Sequence, residues 1–97
     1  MDNQHKLMKG YWDLSAEEIA LMNEIKAKGA ELGSLVERLE KAQKDECENL
    51  QHHTEAEDFT QRVESLNDAR RWTAIGKTQL QQGLMGIIRA VARPTSF

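Results

Sequence analysis

Proline is nearly missing from this chain of 97 residues: Pro94 is the single one, so nothing before it locks φ or removes a backbone donor. A mainly helical chain is therefore permitted. Cysteine is equally scarce. Cys47 stands alone, which excludes an intramolecular disulfide and gives no sign of an oxidising compartment. Two tryptophans, two phenylalanines and one tyrosine cannot build a large aromatic core. No signal peptide and no apolar run of about 18 residues is present, so a cytosolic protein with no membrane span is expected. A glycine loop of the nucleotide-hydrolase kind is also missing. At this length one domain, 1–97, is expected, with a core too modest to stand comfortably alone.

Charge is present but unevenly spread. The net charge is −3, yet residues 1–39 sum to −2, residues 40–68 to −6 and residues 69–97 to +5, with no acid after Asp68. Long nucleic acids are usually met by a basic excess over a whole domain, so a DNA or RNA polymer is not expected as partner. A short basic strip suits a small anion, or the acidic segment of a neighbouring copy.

The periodicity predicts two long helices. Ser15 with Glu18 three residues later is a capping box, and Leu14 with Ile19 has the spacing of a hydrophobic staple, so a helix starts at Ser15. Met22, Ile25, Gly29, Leu32, Val36 and Leu39 then alternate by three and four as a heptad seam running to about residue 48. The charged stretch 40–58 is expected to be an exposed helix extension or a loop that builds no core. A second helical pattern resumes near Phe59 and fills 56–92, with a break at Asn67 left open. Its apolar stripe is Trp72, Leu80, Leu84, Ile87, Ile88 and Val91. Ala69, Gly76, Gly83 and Ala90 recur every seven residues beside it, and Gly29 and Gly33 lie four apart in the first helix. Interior helix glycines cost about 1 kcal/mol relative to alanine, so close approach of another backbone or a ligand is the expected return. The fold class read from these patterns is all-α: a short N-terminal helix within 1–10, then a long antiparallel helical hairpin that self-associates.

Chemistry-bearing clusters are few. His52, His53, Glu55 and Glu57 have metal-ligand residue types, but adjacent histidines point to different sides of a helix, so solvated polar residues at a bend are the better reading. Around Cys47 the sequence KDECENL places carboxylates that oppose a thiolate. No catalytic residue, metal or cofactor is assigned, and an enzyme is not expected. Tyr11 and Trp12 precede the first helix, where flat side chains beside a helix N-terminus suit a nucleobase carrying a phosphate, although covering the end of the hairpin explains them as well. Arg70, Thr73 and Lys77 share one helix face by spacing, with Arg71 on an adjacent one near an expected helix start.

GYWDLSAEEIALMNEIKAKGAELG and RRWTAIGKTQLQQGLMGIIRAVARPTSF together resemble the phage anti-CBASS proteins that act as sponges for cyclic oligonucleotide signals, a helical hairpin domain also found in some anti-Thoeris proteins. The likeness covers both ends and leaves the acidic middle unmatched. It implies a compact homo-hexamer in the host cytoplasm that binds cyclic di- and trinucleotides without cleaving them and so keeps them from CBASS effectors. It further implies that Tyr11 stacks on a base of a cyclic dinucleotide and Lys26 reaches its phosphate. Trp12 departs from the family pattern and leaves base preference open, while Arg93 and Ser96 in the tail ARPTSF would close over the ligand. For a separate cyclic trinucleotide site it implies Arg70 or Arg71, with Thr73 and Lys77 beside them. The competing expectation is a helical-hairpin adaptor that binds another protein through its heptad seam.

Overall fold

The structure is a computed structural model, and it describes residues 14–93. All regular structure among them is helical: α1 spans Ala16–Leu50 and α2 spans Phe59–Ala92. The expected short helix within 1–10 lies outside the described residues. Packing divides the chain into two compact units, one built from α1 up to Glu31 with α2 from Leu80 onward, the other from Leu32–Gln79.

In the first unit the capping box forms as the sequence requires. The Ser15 backbone N–H donates to Glu18 Oε1 at 2.9 Å and the Glu18 backbone N–H donates to Ser15 Oγ at 3.1 Å, while the Ser15 carbonyl accepts from the Ile19 backbone N–H. Two orphan donors of the first turn are thereby satisfied. Met22, Ile25 and Gly29 of α1 and Leu80, Leu84, Ile88 and Val91 of α2 are half-buried, and Ala92 is buried. Gly29 has a local reason: a Cβ there would sit 2.8 Å from Leu84 Cδ1. The missing methyl group leaves room for Leu84, so this glycine serves packing within one chain.

The second unit is a hairpin closed by the turn at 51–58. Helix α1 ends by tightening: the Gln51 N–H is shared between the carbonyls of Cys47 and Glu48, and the His52 and His53 N–H groups reach Asn49 and Leu50. Its last turn carries no lysine or arginine. The His53 ring answers part of the need, with Nδ1 2.9 Å from the Asn49 carbonyl, so Nδ1 carries the proton in that bond. Asp58 starts α2, accepting the Arg62 backbone N–H at its carbonyl and Arg62 Nε at its carboxylate, 2.7 Å away. Asn67 does not break α2. Leu50 and Leu66 are the buried core here, flanked by Cys47, Phe59 and Val63.

Two expectations change at this level. The charged segment was expected to build no core, yet Glu40, Gln43, Cys47 and Leu50 all face α2. Leu32 and Leu39 were expected on the seam, yet they are 44% and 49% exposed, because the buried series runs Gly29, Gly33, Val36, Glu40. Likewise Trp72 and Ile87 leave the predicted stripe of α2, at 57% and 51% exposed. Helix α1 thus carries two stripes, and only one of them meets α2.

Within the second unit the contact between α1 and α2 includes a polar layer. Lys77 Nζ lies 3.2 Å from both Oε1 and Oε2 of Glu40, and Gln43 Nε2 donates to Thr73 Oγ1 at 2.9 Å. The Thr73 hydroxyl donates in turn to the Ala69 carbonyl at 2.9 Å. Since both charged side chains are about two-fifths exposed, solvent screening holds the ion pair to roughly 1 kcal/mol or less. Its greater effect is on alignment, because a slip along the seam would set each group against an apolar neighbour. Charge reversal tests this: Glu40→Lys and Lys77→Glu should each lower stability by about 0.5–1 kcal/mol in thermal unfolding followed by circular dichroism. Combining the two should restore most of the loss, and a double variant as weak as the sum of the singles would refute the pairing.

Candidate ligand-binding surfaces

Tyr11, Trp12 and Ser96, all expected at the cyclic dinucleotide site, lie outside the described residues. Lys26 and Arg93, the other two, belong to the first unit. Lys26 is exposed on α1, and among the described residues its ammonium has no hydrogen-bond or ion-pair partner. Such a group is available to an incoming anion without first breaking a contact. Arg93 lies one residue past α2, its backbone N–H donating to the Arg89 carbonyl at 2.8 Å. Its φ of 48° is the left-handed conformation that glycine usually supplies after a helix. A non-glycine residue held there costs of order 1 kcal/mol, and the following Pro94 stops the helix from continuing.

Electrostatics at the start of α1 centre on Glu18. Its carboxyl is held below the ordinary glutamate range, chiefly by the backbone hydrogen bond from Ser15 and then by the Ser15 hydroxyl. Desolvation works against this, and the charge of Arg93 adds a further lowering. Glu18 and Arg93 therefore sense one another, so the C-terminal end of α2 lies near the N-terminal end of α1 in this unit.

Arg70, Arg71, Thr73 and Lys77 belong to the second unit, and the structure sorts them. Arg70 and Arg71 were expected near a helix start, but α2 begins at Phe59, so they sit well inside it and the dipole argument for them lapses. Thr73 and Lys77 are half-buried and engaged with Gln43 and Glu40 across the seam. Arg71 Nη2 bonds Asp68 Oδ1 at 3.0 Å, and its guanidinium carbon lies 4.8 Å from the Trp72 ring centroid. Arg70 is exposed and, among the described residues, has no partner. Of the four, Arg70 alone has its whole guanidinium fork available.

The remaining features point to no other chemistry. No group of three His, Cys, Asp or Glu side chains among the described residues is placed to hold a metal ion. Cys47, Leu50, Gln51, Phe59, Val63, Leu66 and Asn67 line an apolar hollow of about 210 Å³ beside the turn. No described helix is long and apolar enough to cross a membrane.

The model of the Acb2/Tad1 hairpin domain matches residues 3–92. The chain belongs to that family. Anti-CBASS protein 2 of Pseudomonas phage JBD67 is 36% identical over 105 aligned positions, covering 97% of each chain. In this hairpin-domain protein the match runs through the acidic middle as well as the two terminal blocks. The resemblance seen from sequence stopped short of that middle, whose acidic surface hides the seam residues Glu40, Gln43, Cys47 and Leu50.

The sequence reading missed Trp72 as anything but core. A signal was available: Trp72 follows two arginines and precedes Gly76 by one turn, an unusual neighbourhood for a buried indole.

Because the Glu18 carboxyl is depressed, its capping contribution is present above the ordinary glutamate pKa of about 4.3 and disappears as pH falls through its own lower value. A carboxyl-carbon NMR titration should therefore give Glu18 a midpoint below the ordinary glutamate value. Ser15→Ala should return it toward that value and lower helix stability by about 1 kcal/mol; a Glu18 midpoint that does not move in Ser15→Ala would refute the capping account.

Proposed function

We propose that this protein is a phage anti-defence sponge that sequesters cyclic di- and trinucleotide second messengers in the bacterial host cytoplasm, withholding them from CBASS effectors without cleaving them. The observation that carries the reading is family membership across residues 3–92, together with near-full-length similarity to a protein named for anti-CBASS action. Lys26 and Arg70, exposed and among the described residues without a partner, as Arg38 and Lys44 also are, support it, because each could meet a phosphate at no cost in broken ion pairs.

In this reading Tyr11 stacks on a base and Lys26 neutralises a phosphate of a cyclic dinucleotide, with Trp12, Arg93 and Ser96 completing the site. The strained conformation of Arg93 favours a role for its side chain, since glycine would occupy that position more comfortably. Arg70 and Arg71 serve the cyclic trinucleotide. Thr73 and Lys77 act there only indirectly, by holding α2 in register.

Sequestration without chemistry needs preorganised pockets and slow release, which assembly of copies into a homo-hexamer would provide. Two features favour assembly. Leu21, Leu32, Leu35 and Leu39 are between 44% and 52% exposed and recur along one line of α1 at intervals of eleven, three and four. Also, apart from chain neighbours and the helix's own backbone, nothing lies within 4 Å of where a Cβ would stand at the exposed Gly76, Gly83 or Gly86, so packing within one chain does not account for these glycines as it does for Gly29. The exposed leucines equally fit a hairpin adaptor for a different protein, which would bind no nucleotide.

Titration calorimetry separates these readings. The protein should bind a cyclic dinucleotide and a cyclic trinucleotide independently and release both intact. Lys26→Ala should weaken only the first and Arg70→Ala only the second, each by about tenfold or more. No heat with either class would refute the sponge, and recovery of linear products would make the protein a phosphodiesterase.

A further inference from the structure

Trp72 presents more than half of its surface to solvent, at 57% exposed, in a chain with only two tryptophans. Its surroundings are built rather than accidental. Asp68 fixes Arg71 through Nη2 at 3.0 Å, and Arg71 lies over the indole at 4.8 Å. One side of the ring therefore carries a cation held by a carboxylate one turn back. A helical side chain leans toward the N-terminus of its helix, so the residue four positions on is the one that would cover the indole from its C-terminal side. That residue is Gly76, which has no side chain; apart from its chain neighbours and its own helix backbone, nothing, the indole included, lies within 4 Å of where its Cβ would be. The indole thus keeps an uncovered flank beside a guanidinium with four of its five N–H donors unused.

We propose that Trp72 is a nucleobase-stacking residue of the cyclic trinucleotide site, with Arg71 as an adjoining phosphate contact positioned by Asp68. The inference rests on the sponge reading and adds to it a residue chosen by chemistry. A base has a π face for the indole, and its phosphodiester brings the negative charge that Arg71 can accept. A helix from a second copy fits less well. Seated on the same flank, it would have to bury the Arg71–Asp68 pair, whose side chains are 58% and 60% exposed, at a desolvation cost that packing on one ring hardly offsets. Gly76 takes on a meaning it lacks in the isolated helix: it keeps the stacking face open.

The test uses the full-length protein labelled with 5-fluorotryptophan and titrated with cyclic triadenylate, the Trp72 fluorine resonance being the one that vanishes in Trp72→Phe. That resonance should shift and saturate with ligand. By calorimetry Trp72→Ala should weaken cyclic triadenylate binding by about tenfold to a hundredfold, Trp72→Phe by less, and neither should alter cyclic dinucleotide binding. Gly76→Leu should weaken cyclic triadenylate binding while leaving the helix no less stable. Asp68→Asn should give a smaller loss that Trp72→Ala does not compound. If the parent binds cyclic triadenylate but the Trp72 resonance stays still and Trp72→Ala binds normally, this inference is overturned while the sponge reading stands. A Trp72→Ala variant whose assembly mass falls in sedimentation while its affinity per copy is unchanged also overturns it, making the contact one between copies. No heat from the parent removes the trinucleotide reading and this inference together.

Discussion

Within each unit a stretch of α1 packs against a stretch of α2 and each covers one face of the other, and the rest of this structure depends on what that packing leaves uncovered. Among the described residues only Leu50, Leu66 and Ala92 are buried apolar residues, and no side chain is fully enclosed. A small core of this kind gives little margin against the conformational entropy of ordering two helices of 35 and 34 residues. The chain compensates by spreading many half-buried contacts along the seam. It also interrupts them with a polar layer that has meaning only when α1 and α2 are correctly aligned.

That polar layer separates charges that hold the fold together from charges left for a ligand. Lys77 belongs to Glu40, Arg71 is anchored to Asp68, and Arg62 is tied to Asp58. Among the described residues Lys26, Arg38, Lys44 and Arg70 have no such obligation. The basic character of residues 69–97 is therefore less uniform than a charge count suggests. Arg70 and Arg71 directly precede the exposed indole of Trp72 in α2, while Arg89 and Arg93, also exposed, stand at its other end. The proposed sponge activity asks for this division, since a binder that performs no chemistry needs its phosphate contacts ready and its scaffold unmoved by occupancy.

Glycine shows the same division between internal and external demands. Gly29 makes room for Leu84 within the chain, while Gly76, Gly83 and Gly86 are exposed and have open space where a side chain would stand. Each of these three costs about 1 kcal/mol of helix propensity. A backbone left bare in this way is accounted for by something outside the chain, whether another copy or, at Gly76, the ligand proposed to lie against Trp72.

The sequence by itself determined the helical class, the capping box at Ser15 and Glu18, the position where the second helix resumes near Phe59, and the absence of covalent constraint. These depend on local rules: a cap needs a hydroxyl and a carboxylate three residues apart, and a helix needs freedom from proline. Family resemblance was also legible, because both terminal blocks keep their residues in order. Only the tertiary structure decided which of two apolar stripes on α1 meets α2, since Leu32 and Leu39 fit a heptad as well as Gly33 and Glu40 do. It likewise drew Glu40, Gln43 and Cys47 out of an apparently solvated run and put Trp72 outside. Periodicity tells which residues share a helix face, but a face becomes a core only when another element covers it, and that depends on the partner's side chains and on register.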